Sequence, residues 1–382
     1  MKYKPVITGN NEKTLKDYEE SLKLNAFKES TINTKLWKLY TFLKYYNDKP
    51  VGEISKKDIQ GYILHRRENR KPKTVHNDII DLRLFFKWFV PDNDYFEGVK
   101  TKPQKNRLPV SELIRQDDVK QLLTACNNQR DRALIMLLWD SAARVGELLA
   151  LNIRNVELDR YGAVIIVNGK TGMRRLRLVD AVPDLQLWIN QHPQREDPDA
   201  PLFVTARKYG DAPRRLDVRT IQNLLKTLSE HVDIKKNVHP HAFRHGRLTE
   251  LVKRGFRESE LRIIAGWEDD SKMPAVYIHI SGDDVEKKML ASYGIVEEEE
   301  GHKEEQLKPI ECPRCKTKNP HDAKYCSTCS MVLNIEMARE MEAKEKKMPD
   351  VMSLLLANPD TQTLIAEKLN ELIRKSEGDG LP

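Results

Sequence analysis

Cysteine is scarce in this sequence: five in 382 residues, four of them between positions 312 and 329. That excludes a scaffold held by disulfides spread through the chain. Long apolar runs are missing too, and none approaches the ~20 residues a membrane helix needs. The opening MKYKPVITGNNEK lacks the apolar core of a secretory leader, so a cytoplasmic location with no membrane attachment is expected. Glycine is thin, and the first hundred residues show no sustained alternation, which argues against strands there. No internal repeat is visible. What is present is charge: 32% charged residues against 39% hydrophobic ones, the balance of a charge-rich globular protein. The length suits two or three domains at about 100–200 residues each.

The charge is unevenly placed. Residues 1–295 hold 52 Lys and Arg against 40 Asp and Glu, and residues 296–382 hold 13 against 18. A basic body with an acidic tail points to a polyanion partner for the body, although lysine-rich surfaces also serve solubility alone.

Residues 1–90 read as a small helical bundle. Leu15, Tyr18, Leu22 and Leu24 begin it, and Ile32, Leu36, Leu39, Tyr40 and Leu43 continue at helical spacing, with Ser30 as a candidate cap. Ile59, Tyr62 and Ile63 mark a third helix after Ser55; Val75, Ile79, Leu82, Leu84, Phe85 and Phe86 mark a fourth. Residues 91–110, with three prolines and several lysines, read as a linker. Residues 111–295 read as a mainly helical domain with a small antiparallel sheet: residues 163–167 and 175–179 resemble strands about the turn Asn168-Gly169-Lys170-Thr171-Gly172. Residues 296–311 form an acidic linker, 312–332 a compact cysteine unit, and 333–382 a helical tail.

Two motifs interrupt apolar helical text. Arg144 and Glu147 stand three apart, as do His241 and Arg244, so each pair shares a helical face. Pairing of Arg144 with Glu147 for structure alone is one explanation. The other is a phosphodiester site: two guanidinium forks match the oxygens of a phosphate and stabilise a pentacoordinate transition state, and a nearby histidine can move a proton. Gly169-Lys170-Thr171 imitates the end of a phosphate-binding P-loop, but Val164 stands where that motif needs glycine and strand-like text follows.

In these residues the chain resembles the tyrosine recombinases, or phage integrase family. The segment Ala142 to Leu151 is similar to that family's G-x-R-x-x-E-L-x-x-L, and His241-Ala242-Phe243-Arg244-His245 to its H-x-x-R-H. Ala265-Gly266-Trp267 followed by Tyr277 is similar to its third signature, with Trp267 at a position usually held by histidine, Ala142 for a usual glycine, and one extra residue before the tyrosine. The form of the text around Tyr277 resembles archaeal members. The resemblance covers about residues 12–293.

It implies a mostly α fold: an N-terminal SAM-like core-binding domain, then a catalytic domain with a small sheet, the two closing as a clamp on DNA. It implies site-specific cleavage and rejoining of double-stranded DNA through a 3′-phosphotyrosine, by four subunits at two sites. Tyr277 would be the nucleophile. Arg144 and Arg244 would bind the phosphoryl oxygens. Lys170 would protonate the leaving 5′ oxygen, with Arg174 and Arg175 as alternatives. His241 would assist at the tyrosine, Trp267 would hydrogen-bond and pack, and Glu147 would orient Arg144 or His241. Tyr293 lies nearby but lacks the motif. No cofactor is expected for catalysis. Integration or excision of a virus or mobile element, resolution of chromosome dimers, a silent architectural role and type IB topoisomerase activity remain as readings.

Cys312-Pro313-Arg314-Cys315 and Cys326-Ser327-Thr328-Cys329 are two knuckles whose spacing gives four thiolates for one structural Zn²⁺, as in a short zinc ribbon. The ribbon and tail are expected to fold apart from the catalytic domain and to meet a protein partner. Cys126 is expected to be a packing residue.

Overall fold

The computed structural model describes residues 9, 11–92, 94–101, 110–169, 172–205, 213–278, 289–290, 293–294, 307–334, 339 and 368. They fall in two compact units, Met1–Arg107 and Leu108–Pro382.

The first unit contains four helices: α1 (Glu12–Leu24), α2 (Glu29–Tyr45), α3 (Lys56–Asn69) and α4 (Pro72–Phe89). Each presents one apolar stripe. Leu15, Tyr18 and Leu22 of α1 meet Leu36, Phe42 and Leu43 of α2 and Ile79, Leu82, Phe85 and Phe86 of α4 in a single core. Phe42 sits edge-on to Tyr62 at 5.0 Å and to Phe86 at 5.9 Å, a favoured aromatic geometry. Carboxylates on α4 tie the helices at the rim: Asp78 takes a two-toothed pair from Arg66 of α3, and Asp81 pairs with Lys35 and Lys38 of α2.

Some expectations here need correction. Leu24 is 88% exposed and Leu84 is largely exposed, because both fall off their helices' stripes. The cap of α2 is Lys28 rather than Ser30, which sits inside the first turn. Ser55 does cap α3, through a reciprocal box with Asp58. The expected linker begins late: Phe96 is buried in this core, with Tyr95 and Val99 packed beside it.

The second unit is built around α6 (Gln129–Ser141), whose residues 133–139 are all buried; a helix apolar on every side must be covered on every side. α5 (Gln116–Thr124) and α7 (Val145–Leu149) flank it in sequence. A three-stranded antiparallel sheet follows, in order β1 (Val156–Asp159), β2 (Gly162–Gly169), β3 (Gly172–Leu178). β1 was not expected from sequence: it is four residues long and its Glu157, Leu158 and Asp159 are exposed, so no alternation shows. α8 (Val182–Gln191), α9 (Val218–His231), α10 (Pro240–Lys253), α11 (Glu258–Ala265) and α12 (Met273–Ile278) complete the unit. Asp140, at the end of α6, accepts the N–H groups of Val179 and Ala181 and pairs with Arg247 of α10 at 3.0 Å. This buried knot fixes α10 against α6 and the end of β3.

The cysteine unit adds a two-stranded ladder, β4 (Ile310–Glu311) with β5 (Lys318–Asn319). It is not separate from the domain before it. Leu307 is buried in the second unit's main core, and its N–H donates to Gln116 Oε1 at 3.0 Å. Asp322 pairs with Arg132 of α6 at 2.7 Å. The acidic linker expected over 296–311 thus ends in docked chain, and its first eleven residues lie outside the described ones. The helical tail expected over 333–382 also lies almost wholly outside them.

Candidate active site

The residues singled out in the sequence come from four separate stretches, and the fold of the second unit brings most of them together. Ala142 caps α6 in the left-handed region, at φ 49°, which turns the chain sharply into Arg144. Left-handed backbone costs a non-glycine residue about 1–2 kcal/mol; this is where the sequence departs from the family's glycine. Arg144 caps α7, and Glu147 reaches back to its N–H.

Glu147 is the hub of the polar network. Its carboxylate pairs with Arg144 at 2.9 Å and takes both arms of Arg174 of β3, at 2.6 and 3.1 Å. Burial alone would raise its pKa, but the two guanidinium groups and the Arg144 N–H outweigh that and hold the carboxyl at about 2. Two glycines make room for this packing. A Cβ at Gly169 would overlap the Glu147 carboxylate, and one at Gly266, itself at φ 58°, would lie 2.8 Å from the Arg174 guanidinium.

Arg244 projects from α10 and is only 4% exposed. It donates to the carbonyls of Ala142 at 2.9 Å and Ala265 at 2.6 Å, and lies over the Trp267 ring at 5.6 Å. No carboxylate lies within ion-pair distance of it among the described residues. Burial, and after it the nearby Arg144, lowers its pKa to about 10. A buried guanidinium with no anion, beside a second guanidinium, is an unfavourable charge arrangement that a bound anion relieves.

Tyr277 of α12 is 1% exposed. Its ring centre lies 5.4 Å from that of Trp267 and 5.6 Å from that of His245, each ring inclined to it by 28°. Its hydroxyl is 2.6 Å from His245 Nδ1. Burial pushes the phenol up to about 12. Burial, followed by His241 and Arg244, pushes the His245 imidazole down to about 4. His241 is exposed, with its ring centre 6.4 Å from that of His245, and burial followed by the nearby Arg244, His239 and Arg144 lowers its pKa.

Arg144, Glu147, Arg244, Trp267 and Tyr277 therefore share one neighbourhood. Lys170 lies outside the described residues; its neighbours Gly169 and Gly172 pair at the tip of the β2–β3 hairpin, with Gly169 against Glu147. Val164 lies inside β2 and β3 follows the turn, so the P-loop imitation has no helix behind it. Arg174, an alternative for the Lys170 role, is engaged by Glu147 and by the Ile264 carbonyl. Tyr293 is 74% exposed. His245 was not among the site residues expected from the sequence, where His241 and Arg244 stood out by their three-residue step. The four-residue step from His241 to His245 also puts both on one face of α10 and would have flagged it.

The four ribbon cysteines bring their Sγ atoms within 4.8 Å of one another, with contacts of 3.4 and 3.6 Å. A tetrahedral Zn²⁺ at ~2.3 Å from each sulfur needs sulfurs about 3.8 Å apart. Each knuckle closes in the same way, with a left-handed residue after its second cysteine, Lys316 or Ser330, whose N–H returns to the carbonyl of the first. The donor set fits that ion. Cys126 lies just beyond α5, its thiol donating to the Leu122 carbonyl and pushed up to about 12 by burial, as suits a packing residue.

The fold gathers two arginines, a buried glutamate, a tryptophan and a tyrosine into one site. Residues 112–283 match the phage integrase family, and residues 15–94 match the phage integrase N-terminal SAM-like domain. The chain belongs to the phage integrase, or tyrosine recombinase, family. It is similar to tyrosine recombinase XerA of Saccharolobus solfataricus, at 25% identity over 264 residues, covering 65% of this chain and 82% of that one. It is also similar to tyrosine recombinase XerD of Oceanobacillus iheyensis, at 25% over 291 residues, covering 71% and 94%. In fold it is similar to the XerH site-specific recombinase bound to palindromic difH substrate, with a TM-score of 0.55 and 16% identity, covering 74% of this chain and 84% of that one. A lambda integrase dimer bound to a COC′ core site gives a TM-score of 0.56 and 15% identity, covering 70% and 77%. The ribbon lies outside both family matches. Among the described residues no helix is long and apolar enough to cross a membrane.

Proposed function

We propose that this chain is a site-specific DNA recombinase that cleaves one strand with Tyr277 and rejoins it to another. The observation that carries this reading is Arg244: a buried guanidinium without an anion, beside Arg144 and next to a tyrosine in the same pocket. A scissile phosphate supplies the missing charge. Arg144 and Arg244 then hold its oxygens and stabilise the added negative charge of the transition state. Tyr277 attacks phosphorus, the 5′ oxygen leaves with a proton from Lys170, and the phosphotyrosine keeps the bond energy for rejoining. Trp267 has an indole N–H, a donor that cannot shuttle protons, so it serves by packing and hydrogen bonding. Glu147 keeps Arg144 aimed. The partners are double-stranded recombination sites and, at synapsis, three further copies of the chain. Cys312, Cys315, Cys326 and Cys329 hold one structural Zn²⁺, with no position left for substrate.

The test is a nicked suicide duplex carrying the recombination site. Wild type accumulates a covalent protein–DNA band on a denaturing gel, and Tyr277→Phe forms none while binding DNA nearly as well. Arg244→Ala slows the band by ~100-fold or more. A covalent band that persists in Tyr277→Phe moves the nucleophile elsewhere, and a wild type that binds but never cleaves favours a silent architectural protein. Integration is told from chromosome-dimer resolution by the DNA flanking the gene, where a direct repeat overlapping a tRNA gene marks integration.

A further inference from the structure

We infer that His245 is the group that holds the Tyr277 hydroxyl and receives its proton as the phenol attacks phosphorus. The inference rests on the recombinase reading and adds a residue that the motif reading passed over.

The geometry carries it. The hydroxyl and Nδ1 are 2.6 Å apart, a short hydrogen bond. The phenol ring has the Trp267 ring beside it at 5.4 Å and the His245 ring at 5.6 Å, each inclined to it by only 28°. At 1% exposure, bulk water has almost no access to the hydroxyl. A phenol this hard to ionise is a poor nucleophile near neutrality unless an acceptor already touches it. His245 is that acceptor, and burial keeps its ring neutral with a free lone pair. The titratable and charged groups facing it are Tyr277 on α12, His241 and Arg244 on α10, and His239 at the cap of α10. The cationic neighbour and the burial disfavour a standing charge on the ring, so His245 is poised to accept a proton briefly and return it. His241, the histidine expected in this role, is exposed, and the hydrogen bond to the hydroxyl is made by His245.

The step balances. The Tyr277 Oη–P bond forms with an oxygen lone pair while the phenolic proton passes to His245 Nδ1. The P–O5′ bond breaks with its electron pair on O5′, which takes a proton from the separate donor assigned to Lys170. In rejoining, a 5′ hydroxyl gives its proton back to that donor as its oxygen bonds phosphorus, the Oη–P bond breaks with its electron pair on Oη, and His245 returns its proton to the departing phenolate.

Two variants of the full chain test this, His245→Ala and His245→Asn; the asparagine keeps a hydrogen-bond acceptor near Nδ1 but cannot take a proton. Each is measured in two reactions: covalent-complex formation on the nicked suicide duplex, and joining of a 5′-hydroxyl strand to DNA ending in 3′-p-nitrophenyl phosphate. In the second substrate a phenol already sits on phosphorus, so no tyrosine proton need leave. Both variants are expected to slow covalent-complex formation ~100-fold or more. Joining of the p-nitrophenyl substrate should stay within a few-fold of wild type, as it should in Tyr277→Phe. Cleavage by His245→Asn should also rise tenfold per pH unit from pH 7 to 9, where wild type is nearly flat. Equal losses in both reactions, or wild-type cleavage by His245→Asn, overturn the inference. Covalent bands formed by Tyr277→Phe would overturn the recombinase reading instead, so the two failures are distinct.

Discussion

Glu147 shows how much one side chain holds in this site. It accepts the N–H of the α7 cap Arg144 and pairs with the guanidinium groups of Arg144 and of Arg174 on β3 through a single buried carboxylate. Its folded value of about 2 lies below its ordinary 4.5, so it stabilises the fold above pH ~4.5 and that contribution is lost as pH falls through about 2. The shift corresponds to on the order of 3 kcal/mol. Glu147→Gln removes the charge and leaves Arg174 buried without a full counter-charge. Denaturant titration at pH 7 should show a loss of about 2–4 kcal/mol, and the variant's deficit should shrink as pH is lowered toward 2. A change under 0.5 kcal/mol at pH 7 would show that the arginines find other partners.

At the scale of elements, the β2–β3 hairpin, the turn after α6 and the end of α11 supply the site's backbone, and α10 with α12 brings Arg244, His245 and Tyr277 to it. The cysteine ribbon is an added element that leans on the same unit. Leu307 fills the main core and Asp322 holds Arg132, which also holds the fully buried Asp184 of α8. Leu307→Ala should therefore destabilise the catalytic unit by about 2–3 kcal/mol, an effect a free-standing tail would not produce. Asp322→Ala should cost under ~1 kcal/mol, since the pair is partly exposed. Cys312→Ser should release about one zinc per chain, measured by elemental analysis, while single-site cleavage is retained. If Leu307→Ala left the unfolding midpoint of the unit unchanged, the docking would not contribute to its stability.

Across the whole molecule the charge is divided, with an excess of Lys and Arg up to residue 295 and an acidic remainder. DNA binding should fall steeply with salt, at a log–log slope near −0.9 for each phosphate contacted. Removing residues 1–107, a compact unit with its own core, should lower both affinity and slope in a fluorescence-anisotropy titration. Unchanged affinity and slope would assign DNA binding to the second unit alone.

The linear text was enough to show a mostly α chain, a sheet hairpin, two arginine motifs, a tyrosine and a four-cysteine unit, because each has local spacing. Helical stripes repeat every three or four residues, a hairpin has its turn, and two knuckles have fixed intervals. It was also enough to place Arg144, Arg244, Trp267 and Tyr277 in order along the chain. Folding decided what no interval encodes. It buried Tyr277 beside Trp267 and His245, put His245 rather than His241 on the hydroxyl, and gave Glu147 a second arginine from a strand 27 residues away. It also drew Phe96 and Leu307 out of apparent linkers into two different cores. These contacts join residues far apart in sequence through shape and buried charge, and both exist only once the elements are packed.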